Sequence, residues 1–445
     1  MDYISNTAAE QDEMLKEIGV KAVEELFAMI PEEISLDCEL DVEAGISEME
    51  LMDLAKEAAA KNKSLEEMTS FLGAGAYDHY VPSIIDHLIS RSEFYTAYTP
   101  YQAELSQGTL EAMYEYQSMI AELTGMGIAN ASMLDGGSAA AEAVTMASRI
   151  SRKKKVILTE TIHPAYKEVI KCYGKGHQLE FLELKSNSEI MDPAVIKENI
   201  DQETGVLVVQ YPNFFGSLEK MEEIAKIKKE HKKLIFVVIA NPVLLGLLKA
   251  PAEFGADIVV GEGQGLGNGL NYGGPYLGFM ACKDERIMLR QLPGRIVGKT
   301  TDVDGKEGFV LTMQTREQHI RREKATSNIC TNEALNALMA TIYLATMGKK
   351  GLAEVAEQSY HKAHYLAEKI DQLADFEVSN KENFFHEFLV KSSKDIKEIK
   401  AKLLEEDIIA GYDLDKAGKK GLLVCVTEKI SKADMDNFVE KLEVL

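Results

Sequence analysis

The sequence predicts an α/β protein: a mainly parallel sheet covered by helices, a helical arm before it and a small α+β domain after it. Three observations carry this. Short apolar runs alternate with amphipathic helical stretches between Ile128 and Cys282, as in strands joined by crossover helices. A Gly-rich turn, Asp135-Gly136-Gly137-Ser138, runs straight into one of those helices. After a long helix rich in Ala, Leu and Met, the tail returns to strands and a closing helix. A chain of 445 residues has room for one large core with a smaller one attached. The expected divisions are 1–70, 71–330 and 331–445.

The arm is read from three capping boxes, Thr7…Glu10, Ser47…Glu50 and Ser64…Glu67, each a helix-start signature. Leu15, Ile18, Val23, Leu26, Phe27 and Ile30 recur at helical spacing until Pro31. Helices this short do not hold alone, so their apolar faces need another surface. Phe71–Gln107 is rich in Gly, Tyr and Thr, with one helix (Ser83–Ser90) between turn prolines. Ser106 then caps a helix from Gln107 to Leu123. The predicted strands are Val156–Thr159, Leu179–Leu184, Val206–Tyr211, Ile235–Ala240, Asp257–Val260 and Leu277–Cys282. Between them lie helices, the clearest being Ser138–Ile150 and Leu218–His231. Residues 283–330 read as irregular and basic. Asn332–Gly348 and Leu352–Leu373 form a long helix, followed by strands His386–Val390, Ile408–Tyr412 and Leu422–Val426 and a closing helix Lys432–Leu442.

Composition narrows the function. A net charge of −23 argues against nucleic acid as a partner. Residues 1–70 hold 19 acidic and 5 basic residues, whereas 286–324 hold nine Lys/Arg against five Asp/Glu. The arm is therefore acidic and the second segment suits anions. Five scattered cysteines (Cys38, Cys172, Cys282, Cys330, Cys425) suggest a reducing compartment and no structural zinc. With no signal segment and no apolar run long enough to span a bilayer, the expected location is cytoplasmic, without a membrane partner.

Gly255–Cys282 is the densest stretch. Gly261, Gly263, Gly265, Gly267 and Gly269 alternate, and Gly273-Gly274-Pro275 follows. Glycines this close imply positive φ or tight backbone packing, at a strand end where α/β proteins bind ligands. The spacing does not fit G-x-G-x-x-G, and no G-x-x-x-x-G-K-[ST], H-E-x-x-H or G-x-S-x-G occurs, so no nucleotide loop, metal pair or serine elbow is indicated. The Asp135–Ser138 turn reads equally as an anion seat at a helix N-terminus or as a tight turn with Ser138 as N-cap.

Longer motifs narrow the reading further. They are Tyr98-Thr99-Pro100-Tyr101-Gln102, Glu104-Leu105-Ser106-Gln107-Gly108, Gly261-Glu262-Gly263-Gln264, Gly273-Gly274-Pro275-Tyr276-Leu277-Gly278 and Arg321-Arg322-Glu323-Lys324-Ala325-Thr326-Ser327-Asn328-Ile329-Cys330. With the fold pattern they resemble, nearly end to end, the glycine dehydrogenase (aminomethyl-transferring, decarboxylating) P protein, and within it subunit 1, the α subunit of the split form. The resemblance implies a fold type I, aspartate-aminotransferase-type architecture. It also implies pyridoxal 5'-phosphate as cofactor, glycine as substrate, transfer of the aminomethyl group to the lipoyl arm of H protein, and a subunit 2 partner in a heterotetramer of two α and two β chains.

Such chemistry needs a Schiff-base lysine and an acidic partner for the pyridine nitrogen. Counted back from Gly273-Gly274-Pro275, the lysine position falls at or near Gln264, and the strand that would supply the acid reads Ile239-Ala240-Asn241. There is no lysine between Lys249 and Lys283. The resemblance therefore implies a chain with no catalytic residue of its own that completes a cofactor site on the partner. Thr326, with Ser327 and Asn328, is the candidate for the cofactor phosphate. Arg321 and Arg322 would meet phosphate or substrate carboxylate, or else pair with the acidic arm. Tyr98, Thr99, Tyr101, Gln102 and Gln107 would line the glycine and lipoyl-arm pocket, or else form a packed polar interface. The rival readings are a stand-alone pyridoxal-phosphate enzyme using another lysine and a non-catalytic binding protein that kept the fold.

Overall fold

The computed structural model describes residues 5–445 except 37, 39, 330 and 331. Cys330, which ends the last of the quoted motifs, lies outside the described residues. The chain divides into two units, Met1–Lys63 and Ser64–Leu445.

In the first unit the Thr7 and Ser47 boxes close as expected and open helices α1 (Ala8–Ile18) and α2 (Glu48–Ala59). Among the described residues between them, the regular elements are the short 3-10 turns Val23–Phe27 and Glu32–Ile34. No residue of either helix is buried. The third box behaves differently. Glu67 accepts from the Ser64 N–H at 3.0 Å, but the box heads a turn, and Thr69–Ser70 then pairs as a parallel strand with Ile408–Ile409. The helical reading of 64–70 is thus corrected, because strand pairing there outweighs the local capping signal.

In the second unit seven strands form the main sheet: β1 (Ile128–Ala129), β2 (Lys155–Thr159), β3 (Glu180–Leu184), β4 (Thr204–Tyr211), β5 (Ile235–Ala240), β6 (Ile258–Glu262) and β7 (Gly278–Cys282). Their order is β1-β7-β6-β5-β4-β2-β3. Strands β2 to β6 run parallel, while β7 is antiparallel to both β6 and β1. Central strands β4 and β5 are covered on both faces, which is why they read as unbroken apolar runs. Alternate residues pack to opposite sides. Ile157, Leu207, Val209 and Phe236 join Tyr116 and Ile120 of α3 (Gln107–Thr124). Val156, Val206, Val208 and Val237 join Ala140, Val144 and Ala147 of α4 (Gly136–Ser151). Ser106 precedes α3 but makes no side-chain cap bond.

The 283–330 stretch is less irregular than expected. It contains an antiparallel hairpin, β8 (Ile296–Thr301) and β9 (Glu307–Thr312), whose Lys, Thr and Gly content hides the strand pattern. Helix α5 (Ala334–Asp371) follows, kinked at Gly348 with φ of 58°. A four-stranded antiparallel sheet then forms, β10 (Phe376–Val378), β11 (Glu387–Ser392), β12 (Tyr412–Asp413) and β13 (Leu422–Cys425), in the order β10-β11-β13-β12. Helices α6 (Ile396–Glu405) and α7 (Lys432–Val444) contribute to its core, where Phe71 stacks on Phe438 at 4.3 Å. No described helix is long and apolar enough to cross a membrane.

The two sheets are spliced at Gly216. Its carbonyl accepts from the Phe385 N–H at 3.0 Å, and its φ is +78°. A Cβ there would press into the Glu387 carbonyl. Gly216→Ala is therefore expected to cost more than about 2 kcal/mol, read as a lowered denaturant midpoint. An unchanged midpoint would mean the splice is loose.

Candidate functional site

The carboxyl ends of β4, β5 and β6 face a cleft where this architecture ordinarily holds its ligand. Here the chain fills the cleft itself. Gln264, 1% exposed, accepts from the Tyr77 N–H at 2.8 Å and donates to the Tyr77 carbonyl at 3.0 Å and the Asn268 carbonyl at 2.7 Å. Its amide is thus paired like a short piece of sheet. An amide bound this way has no nucleophilic nitrogen to offer a carbonyl cofactor.

The anion seat is taken as well. Glu262, at the end of β6, accepts from the Gly136 N–H at the start of α4 at 3.0 Å, and from the Gln264 and Leu277 N–H groups at 3.1 and 3.0 Å. Burial pushes its carboxyl up to about 7, against those three donors. Asp135, not Ser138, is the N-cap, accepting from the Ser138 N–H at 2.6 Å. Both sequence readings of this turn are therefore partly met: it is a capped turn and an anion seat, with carboxylates of the chain as the anions. At the β5 end, Asn241 accepts from the Val243 N–H at 3.0 Å and offers no carboxylate. In the glycine run Gly267, Gly273 and Gly274 have positive φ, 83°, 83° and 108°; Gly261, Gly263 and Gly265 are instead crowded by neighbouring atoms.

The wall opposite is the segment around Tyr77, tied to the small sheet. Glu387 accepts from the Ala74 N–H at 2.7 Å and the Tyr77 hydroxyl at 2.8 Å. His79 pairs with Glu428 at 2.7 Å. His386 is buried with both ring nitrogens unpartnered among the described residues, and burial pushes it down to about 3. The space left between Tyr77, His163, Asn241, Glu262, His386 and Glu387 is about 40 Å³. That holds a few waters; beside it, over the amino end of α4, an open hollow of about 410 Å³ is lined by Gly75, Asp135, Gly137, His163, Tyr166 and Glu262. The chemistry of these residues does not fit pyridoxal phosphate: a tied amide and Asn241 stand where the resemblance puts the lysine and the acid, and Glu262 takes up the Gly136 N–H.

The other expected residues lie elsewhere. Tyr98 and Thr99 line a larger cavity of about 270 Å³ with Phe94, Met113, Tyr116 and Arg295. Tyr98 is 78% and Tyr101 58% exposed. Gln102 is exposed too. Gln107 does not line that cavity. It donates to the Phe309 carbonyl at 2.9 Å and accepts from the Phe309 N–H at 2.8 Å, pinning α3 to β9. Arg321, Arg322 and Asn328 are exposed, and Thr326 and Ser327 are half-buried. Ser327 donates to Glu142 of α4 at 2.7 Å. Arg321 donates to the Thr315 carbonyl at 3.1 Å. Buried Arg295 anchors both regions, donating to the Tyr101 hydroxyl at 3.4 Å and facing Glu317 at 3.9 Å. Glu262, Tyr77, Glu387, Arg295 and Arg316 are the site residues that sequence reasoning missed. Only Glu262 had a signal, a lone carboxylate inside a glycine run.

This strand order, with one antiparallel strand among six parallel ones and a small antiparallel sheet at the C-terminal side, defines the fold type I class of pyridoxal-phosphate-dependent transferases. The glutamate decarboxylase of Lactobacillus brevis shares the fold at TM-score 0.69 and 12% identity, over 95% of this chain and 96% of its own. More specifically, the chain belongs to the family described as "Glycine cleavage system P-protein", whose model matches residues 1–442. A relative from Carboxydothermus hydrogenoformans, "Probable glycine dehydrogenase (decarboxylating) subunit 1", is 51% identical over 99% of both chains. A crystal structure of glycine decarboxylase (P-protein) of the glycine cleavage system, in inhibitor-bound form, superposes at TM-score 0.90 with 39% identity, covering 100% of both chains.

Burial also holds the Glu387 carboxyl up to about 7. Between the ordinary value of 4.5 and 7 the folded chain keeps a proton that the unfolded chain has released. The stability Glu387 contributes is therefore full below 4.5 and falls as pH rises towards 7. Glu387→Gln is expected to gain stability relative to the parent between pH 5 and pH 8 in thermal unfolding. A constant difference across that range would rule out the raised carboxyl.

Proposed function

We propose that this chain is the cofactor-free α subunit of a glycine decarboxylase. It would assemble with subunit 2 as two α and two β chains and complete a pyridoxal-phosphate site on that partner. There glycine would lose CO2 and its aminomethyl group would pass to the lipoyl group of H protein. The observation that supports this is Gln264, at or near which the resemblance puts the Schiff-base lysine, and whose amide is tied by three hydrogen bonds. The bound cofactor supplies the electron sink for decarboxylation, and this chain supplies surroundings.

Several features support that division of labour. Tyr95, Tyr98, Tyr101 and Leu105 stand 58–78% exposed in one short segment, an apolar and aromatic patch of the kind that marks an interface. Tyr98, Thr99, Tyr101 and Gln102 would wall the partner's pocket and keep water from the reacting carbon. Thr326 would turn its hydroxyl to the cofactor phosphate with Ser327 and Asn328 beside it, while Arg321 and Arg322 offer charge to phosphate or carboxylate. Gln107 acts one step back, holding β9 under the wall.

Borohydride reduction tests the proposal. Treated with pyridoxal phosphate alone, the chain is expected to yield no pyridoxyl-lysine peptide and to release no CO2 from glycine, whereas adding subunit 2 gives both, with the label on the partner. A labelled lysine from this chain would overturn it. In the complex, Tyr98→Ala is expected to lower kcat/KM at least about tenfold, or ~1.4 kcal/mol. An unchanged value would favour a scaffold with no part in the site.

A further inference from the structure

The segment bearing Thr326 starts and ends at one residue. The Arg316 carbonyl accepts from the Thr326 N–H at 3.0 Å, closing a surface loop whose tip holds Arg321 and Arg322. The Arg316 side chain points the other way and is 7% exposed. Its guanidinium donates to three main-chain carbonyls: Met313 at 3.1 Å, Gly294 at 3.0 Å, and Leu292. No carboxylate accepts a hydrogen bond from it among the described residues, although Glu317 lies close enough to favour its charge.

A buried arginine is expensive to keep, and an apolar side chain would fill the same volume. What the fixed guanidinium fork adds is direction, since it binds several acceptors in set geometry. The acceptors belong to the turn before β8 and to the residue that leaves β9, so both flanks of the hairpin are locked to the loop's first residue. Strain sits on either side of the staple: Met313 has φ of +58°, and Arg322 has φ of +53° with ψ of −124°, conformations that persist only where the surroundings impose them. The Ser327–Glu142 bond is a second tie on the outgoing limb.

We propose that Arg316 is the positioning residue that presents Thr326 to the partner's cofactor, acting through its own carbonyl, with Ser327 and Glu142 as the second tie. This rests on the reading that Thr326 reaches that cofactor, and the test separates the two. The assembled α/β complex, stripped of cofactor, is titrated with pyridoxal phosphate while its absorption band is followed. Assembly is checked by sedimentation. Thr326→Ala and Arg316→Met are each expected to raise the half-saturating concentration at least tenfold with assembly intact. The double variant should go little beyond either single one, because the two act in series. If Thr326→Ala leaves half-saturation unchanged, the shared-site reading fails. If Thr326→Ala weakens binding and Arg316→Met does not, the positioning role fails. Should Arg316→Met not assemble, Arg316→Lys and Ser327→Ala carry the same test: a shift in the same direction supports the role, and parental affinity in both overturns it.

Discussion

At the centre of the structure an amide pairs with a peptide bond. Gln264 and Tyr77 exchange two hydrogen bonds across the mouth of the main sheet, each worth roughly 1 kcal/mol net and more if one half is lost in a buried place. From that pairing the rest of the cleft follows. Tyr77 reaches Glu387 on the small sheet, His79 reaches Glu428, and Glu262 fills the amino end of α4. Both ends of an ancestral ligand site are thus occupied by side chains, and the two sheets are held together by groups that a guest would otherwise have to displace.

With Gln264 and Glu262 tied up inside, the polar and aromatic groups left exposed lie on the rim. The segments holding Tyr98–Gln102 and Arg321–Asn328 are exposed at their tips and fixed at their bases by Arg295, Arg316 and Gln107. Rigid footing under an exposed tip is what a contribution to another subunit's site requires, since misplacement by an ångström can cost a large part of the rate. Arg295 and Arg316 are buried and Gln107 half-buried; Arg316 and Gln107 bind main-chain atoms, and Arg295 binds the Tyr101 hydroxyl. At the rim Tyr98, Tyr101, Gln102, Arg321, Arg322 and Asn328 are exposed, and Thr99, Thr326 and Ser327 are half-buried.

Much of this was legible in the sequence, and the limits have physical causes. Strands β2 to β7 were placed within about two residues because most read as short, nearly unbroken apolar runs between helical stretches, the mark of strands covered on both faces. The hairpin β8–β9 was not, since half of each strand faces water and carries Lys, Thr or Gly. The Asp302–Gly305 turn between them was its one available sign. Gln264 was found by counting from a glycine motif, yet its partner Tyr77 lies 187 residues away, and no spacing rule reaches that far. Gln107 looked like a pocket residue because an exposed-type side chain in a polar stretch carries no mark of the backbone it will meet. Arg295 and Arg316 were hidden in a segment that read as irregular, basic and suited to anions, where charge alone does not tell a buried fork from a free one.

The uncovered apolar residues of the first unit have a consequence for the life of the polypeptide. Ile18, Phe27, Met29, Ile34 and Met49 stand in the open on short helices and turns, and exposed patches of this sort are what holdases and proteases recognise. Left uncovered, these residues would open a polypeptide to such recognition, so its lifetime would depend on how much of this surface is covered.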